Sequence, residues 1–303
     1  GGFVVVVNAY AKFIKFNKLK IKIEKLLMNL ESNELEDIEK VSREIKSFFE
    51  KGEIPSDLLY QIYDFYEKMG SPEVVVRSSS ILEDSPATSF AGQYDSFLNV
   101  KGKKQLLESI KHCWASLWNT RALSYRLKQN IDSTELAHAV IIQQQISAEK
   151  SGVLFTANPL NNRRDQMLIN SSWGLGEAIV SGDVTPDQWI VHKRSQEILE
   201  EKIAVKDVMT IRKNEGTKLV DVPRKKVKQL SLGKWEIHNL LKLGKTTEDH
   251  FNCPQDIEWS FYENKIYLVQ SRPITTLFPK LKPEDKSEEL RIYTNFLLID
   301  KVM

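Results

Sequence analysis

The sequence predicts a chain of mixed helices and strands, and three observations predict it. Residues 256–261 and 265–273 alternate polar and apolar side chains with the two-residue period of half-buried strands. Residues 18–69 are rich in Lys, Glu, Leu and Ile at helical spacing. Short apolar runs such as Val74–Val76 follow turn residues, here Gly70-Ser71-Pro72, and have the length of buried strands.

Taken in order, Phe3–Val7 reads as an opening strand leading into a helix that Asn8 caps. Residues 18–69 read as several helices, broken near Asn33 and again at Gly52–Pro55, with their charges on solvated faces. Val74–Val76 is a strand, Lys103–Gln129 a second helical stretch, and Ala139–Ile146 a strand ending in glutamines. Gly152–Thr156, Met167–Asn170 and Gln188–His192 continue the strands, and residues 193–224 form a strand-rich excursion. Leu232–Phe251 is a helix before the hairpin at 256–273. Residues 276–289, rich in proline and lysine, read as a linker, and residues 290–303 as the start of a following domain.

At 303 residues the chain can bury a sizeable core, as one large domain or two lobes. Its net charge of +2 gives no strong pull toward nucleic acid or membrane. The basic run Arg224–Lys228 reads as a solvated loop. Gly1–Val7 is too short and lacks the basic flank of a signal peptide. Cys113 and Cys253 form neither a disulfide framework nor a metal cluster, which places the chain in a reducing cytosol.

The hairpin carries the densest chemistry. Alternation puts Asp256, Glu258 and Ser260 on one face of its first strand, with Ile257, Trp259 and Phe261 on the other. On the second strand Gln270 and Arg272 share a face, opposite Tyr267 and Val269. A two-residue loop at Glu263-Asn264 would set Glu258 against Val269. A three-residue loop, Glu263–Lys265, sets Glu258 against Gln270, Asp256 against Arg272 and Trp259 against Val269, and is the register expected here. It builds a platform of two carboxylates, an amide oxygen and a guanidinium. Glu258 and Gln270 supply the oxygen ligands that Mg²⁺ prefers, and Arg272 could fork onto a phosphate.

Other clusters point the same way. Arg77-Ser78-Ser79-Ser80 sits at a strand end, and the small, polar residues 83–96 that follow could fold over phosphates. Val140–Gln143 is an apolar strand whose glutamine could meet the edge of an adenine ring. There is no GxxxxGK[ST] P-loop, and Trp173-Gly174-Leu175-Gly176-Glu177 reads as a close-packed turn and not a dinucleotide fingerprint.

These clusters, in this order, resemble the ATP-binding domain of the phosphoenolpyruvate synthase and pyruvate phosphate dikinase family, a domain that rifampin phosphotransferase shares. The matching motifs are Val75–Ser79, Ser89–Gln93, Cys113–Trp118, Ser151–Thr156, Trp173–Glu177 and the hairpin with Gln270–Pro273. The resemblance implies an α+β fold of the ATP-grasp type over residues 1–275, two lobes with ATP between them. It implies Arg77 on the phosphates, Gly92 and Ser96 on a phosphate-covering loop, Gln143 at the adenine, Glu258 and Gln270 on Mg²⁺, and Arg272 on the transferring phosphoryl group. Arg77 and Arg272 would be the catalytic residues. The implied activity passes phosphoryl from Mg-ATP to a histidine on a separate domain and then to pyruvate; a rifamycin-type acceptor and a non-catalytic ATP-binding module are the alternatives. The family's ATP-binding lysine precedes the strand corresponding to Phe3–Val7, and its TGGxxSH-type histidine motif does not occur in this sequence. Residues 1–303 alone are therefore expected to bind Mg-ATP weakly and not to turn over.

Overall fold

The computed structural model describes residues 1–30, 34–79, 94–129, 131, 136, 138–213 and 216–278. The strands are β1 (Gly2–Val5), β2 (Val74–Ser79), β3 (Ser96–Val100), β4 (Ala139–Gln144), β5 (Lys150–Phe155), β6 (Gln166–Trp173), β7 (Asp187–His192), β8 (Ile198–Lys202), β9 (Val208–Arg212), β10 (Thr217–Asp221), β11 (Gln255–Tyr262) and β12 (Lys265–Pro273). The helices are α1 (Val7–Phe16), α2 (Leu19–Met28), α3 (Leu35–Lys51), α4 (Ser56–Lys68), α5 (Gly102–Ser116), α6 (Thr120–Lys128), α7 (Glu177–Val180) and α8 (Lys234–Phe251).

Two antiparallel sheets dominate. One runs β1-β4-β2-β3 and packs the alternating residues Val5, Val74, Val76, Val140 and Ile142 into a core with α1 to α6. The other runs β12-β11-β5-β6-β7-β8 and packs Leu154, Ile169, Trp189, Ile257, Trp259 and Phe261 into a separate core with α8. Each such fully buried side chain contributes about 1.5–3 kcal/mol. The start of α8 is pinned to the second sheet by the buried Asp187, which accepts from Lys206 Nζ at 2.5 Å and from Ser231 N and Oγ at 2.8 Å. The β9–β10 hairpin reaches from the second half of the chain to the first. Arg212 pairs with Glu73 at 2.9 Å, and Asn99 Nδ2 donates to the Gly216 carbonyl at 2.9 Å.

Several expectations change in detail. The first strand ends at Val5, and α1 begins at Val7 with Val6 extended before it, so Asn8 lies in the first turn and does not cap it. Burial of Ala9, Tyr10 and Phe13 sets that helix's phase. The stretch 103–129 divides into α5 and α6 around Leu117–Asn119. Ser96 opens strand β3, paired with Arg77, and is not in a loop. Gly92 and the rest of residues 80–93 lie outside the described residues, as do most of the expected linker and all of residues 290–303.

The hairpin is corrected most instructively. Its loop is the two-residue one: Tyr262 pairs with Lys265, and both Glu263 (φ 49°) and Asn264 (φ 58°) take left-handed backbone. That is the turn geometry whose twist matches paired strands. Trp259 consequently faces Leu268, not Val269, and Tyr267 faces Ser260, on the face that holds Glu258. A β-bulge then takes up Val269 as an extra residue, and beyond it Glu258 faces Gln270 and Asp256 faces Arg272. The expected polar pairs form although the turn is the two-residue one, because the bulge restores their alignment.

Close approach of β11 to β5 depends on Gly152. A Cβ there would fall well inside van der Waals distance of the Asn170 carbonyl and 2.5 Å from Trp259 Cζ2. Gly152→Ala should cost about 1–3 kcal/mol by overpacking. Urea unfolding would read this as a lower midpoint, and an unchanged midpoint would show that β5 and β11 can separate freely.

Candidate functional site

In β2 and β4, burial of Val74, Val76, Val140 and Ile142 against the helices turns the intervening residues to the other face. Directly opposed residues of an antiparallel pair share a face. Ser96, Arg77, Ile141 and Val4 are opposed in one row, and Val75, Gln143 and Gly2 in the row two residues away. Arg77, Ser96, Ile141 and Gln143 therefore present to one side. In the second sheet the same rule places Gln270, Glu258, Val153, Asn170 and Gln188 in one row, with Arg272 and Asp256 two residues along.

A cavity of about 550 Å³ is lined from both sheets, by Phe3, Arg77, Ile141, Gln143, Val269 and Gln270 among others. That is within the usual size of a small-molecule site. Arg77 Nη2 donates to Gln270 Oε1, joining β2 to β12 across 193 positions of sequence. Arg272 Nε donates to Asp256 Oδ2 at 2.9 Å. The structure thus brings together Arg77, Gln143 and Gln270 in the cavity wall, with Glu258 paired to Gln270 and Arg272 to Asp256 beside it. Ser96 lies one strand from Arg77 on the same face and is exposed, outside the cavity lining.

Burial dominates the electrostatics. It pushes the Glu258 carboxyl above the usual carboxylate range, with the guanidiniums of Arg77 and Arg272 pulling it back and Asp256 adding to the rise. Burial likewise raises Asp256, against the attraction of Arg272. The oxygens of Glu258 and Gln270 are hard donors that suit a hard divalent cation, and a cation beside Glu258 would favour its ionised form. No group of three His, Cys, Asp or Glu side chains that could hold a metal occurs among the described residues, so such a cation would draw its other ligands from bound substrate and water.

Sequence reasoning missed Phe3, Val269 and Phe251 in the cavity wall, and the pair in which Gln188 Nε2 donates to Asn170 Oδ1 at 3.1 Å in Glu258's row. Asn170 and Gln188 were visible only as polar interruptions of apolar strands. Phe251, at the end of α8, carried no signal.

A carboxyl whose folded-state pKa is raised contributes least stability once ionised. Folding is favoured below the unfolded value, and this contribution is lost as pH rises through the folded one. Glu258→Gln should therefore raise the stability of the ligand-free chain at neutral pH, by about 0.5–2 kcal/mol, and flatten its decline above the ordinary carboxylate range. Thermal unfolding at pH 4 and pH 7.5 checks this; a variant less stable than wild type at pH 7.5 would contradict it.

Comparison with known proteins places the chain. The family described as pyruvate phosphate dikinase, AMP/ATP-binding domain, matches residues 1–292. A probable phosphoenolpyruvate synthase of Methanocaldococcus jannaschii is 40% identical over 98% of this chain and 25% of its own length. The phosphoenolpyruvate synthase of Pyrococcus furiosus is 42% identical over 84% of this chain and 32% of its own length. A rifampicin phosphotransferase of Bacillus cereus is 38% identical over 96% of this chain and 33% of its own length. The chain thus spans no more than a third of these relatives, whose remaining length lies in other regions. With a match over nearly its whole length, the chain belongs to the pyruvate phosphate dikinase AMP/ATP-binding domain family.

Proposed function

We propose that this chain is the nucleotide-binding part of a phosphoenolpyruvate synthase-like phosphotransferase, of ATP-grasp type, with ATP held between its two sheets. The observation that carries this reading is the cavity across which Arg77 meets Gln270, flanked by Glu258 and Arg272, in a member of an ATP-binding family. Residues 1–275 form the nucleotide-binding unit in this reading, 276–289 a linker and 290–303 the start of a further domain, in a cytoplasmic protein.

Each residue has a role that its chemistry suits. Val4 and Ile141, opposed on one face, offer apolar walls for a base, and Gln143 an amide for its polar edge. Arg77 and Arg272 bind phosphate oxygens and offset charge that develops as the phosphoryl group moves. Glu258 and Gln270 would hold Mg²⁺, which when bound neutralises phosphate charge. Ser96, on β3 opposite Arg77, offers a hydroxyl on the phosphate-facing side. Phosphoryl then passes to a histidine on another domain and from there to pyruvate. Removal of one charge-stabilising group of this kind costs about 10²–10³ in rate.

The kinship with rifampicin phosphotransferase supports a second reading, in which the same site serves an antibiotic acceptor. A non-catalytic ATP-binding module is disfavoured by the joint presence of Arg77 and Gln270 in the cavity wall with Glu258 and Arg272 beside it.

Calorimetric titration of the 303-residue chain with Mg-ATP tests the site. The reading predicts one-to-one binding that Glu258→Ala and Arg272→Ala each weaken roughly 10- to 100-fold, the loss expected for a hydrogen bond to a charged group. Binding of equal strength in all three proteins would sink it.

A further inference from the structure

The Gln270 amide oxygen, one of the two donors suited to a cation, is engaged by a side chain of the protein itself. Arg77 Nη2 donates to it from the opposing sheet. The same guanidinium is an electrostatic partner of Glu258, the other donor. Asp256 is engaged by Arg272 at 2.9 Å. Two guanidiniums thus balance two carboxylates at this face.

We infer that Arg77 is an internal counter-cation, occupying the cation-binding face of Glu258 and Gln270 until nucleotide phosphate draws its guanidinium away. The inference rests on the nucleotide reading above and adds to it an order of events. A free divalent cation that approaches Gln270 Oε1 meets a like charge already on that oxygen, and binding it would leave the face with uncompensated positive charge. The metal complex of a nucleoside triphosphate is anionic. Its phosphate oxygens give Arg77 a charge-assisted, bidentate alternative to a single amide oxygen. When Arg77 moves to phosphate, Gln270 Oε1 and Glu258 become available together. Metal and nucleotide therefore bind synergistically, each lowering the cost of the other's arrival. The site stays closed to free metal, and Arg77 acts as a gate as well as a ligand.

The effects of substituting Arg77 follow with opposite signs. Arg77→Gln removes the competing charge, so Mn²⁺ alone should bind at least 10-fold more tightly than to wild type, while Mg-ATP binds more weakly. Arg77→Lys keeps the charge and should keep Mn²⁺ binding weak. Adding Gln270→Ala to Arg77→Gln should abolish the gain.

The test uses the 303-residue chain and its variants, titrated with Mn²⁺ alone and read by the electron paramagnetic resonance signal of free Mn²⁺. Circular dichroism confirms that each variant folds, and calorimetry with Mg-ATP runs in parallel. Tighter Mn²⁺ binding in Arg77→Gln, absent in Arg77→Lys and in the double variant, is the expected result. Mn²⁺ binding by Arg77→Gln that is equal to or weaker than wild type would overturn the inference, even with Mg-ATP binding as proposed. A wild-type chain that shows the expected Mn²⁺ series and yet binds no Mg-ATP would instead overturn the nucleotide reading and leave the counter-cation assignment standing.

Discussion

The site depends on the register between β11 and β12. Ile257, Trp259 and Phe261 must face α8, because their burial closes the second core, and that requirement turns Asp256, Glu258 and Ser260 to the other face. A slip of one residue would bury the two carboxylates against α8 and expose the aromatic side chains, a change that no local gain offsets. The turn at Glu263-Asn264 fixes the near end of the hairpin. The bulge at Val269 then shifts the far end by one residue, so that the amide of Gln270 comes opposite Glu258. Bulges commonly sit on edge strands beside sites for this reason, and β12 is the edge of its sheet.

Given that register, the two halves of the chain meet through polar contacts. Arg77 reaches Gln270 at the cavity, and the β9–β10 hairpin meets Glu73 and Asn99 away from it. Each sheet has its own apolar core, so the contacts between them carry little of either sheet's stability. Burial of Glu258 and Asp256 works against the ligand-free state, since both carboxyls are pushed upward by lost hydration. A site that holds charge in reserve for a charged ligand is expected to cost stability in the ligand's absence.

Much of this was legible in the sequence, and what was not has physical causes. Period-two alternation gave the faces of β11, because one face is buried and the pattern must follow, but it put Tyr267 of β12 opposite Gln270, whose side Tyr267 shares. The pairing of Glu258 with Gln270 was legible, but the bulge behind it was not. Glu263 is no ordinary left-handed residue, so the two-residue turn was set aside for a uniform three-residue one, and the phase change between Tyr267 and Gln270 was hidden because Leu268 and Val269 are both apolar. Strand β3 was missed because Ser96–Val100 follows a polar stretch and contains Asn99, whose φ of 55° interrupts the strand's regularity. The start of α1 was misread because Val6 precedes it without any side-chain cap. The close-packed turn at Gly174 was read correctly. Its φ of 79°, and a would-be Cβ that would crowd the Thr210 carbonyl, are demands that only glycine meets easily. The Arg77–Gln270 contact joins two sheets and was beyond any local pattern.

We propose that the cavity between the two sheets is the nucleotide site. A crystal structure of the chain with Mg²⁺ and a non-hydrolysable ATP analogue tests it most directly. The base should lie against Ile141 and Gln143, the phosphates between Arg77 and Arg272, and the metal on Glu258 and Gln270, with Arg77 no longer on the Gln270 oxygen. Nucleotide bound elsewhere, or in this cavity with its phosphates away from both arginines, would contradict it.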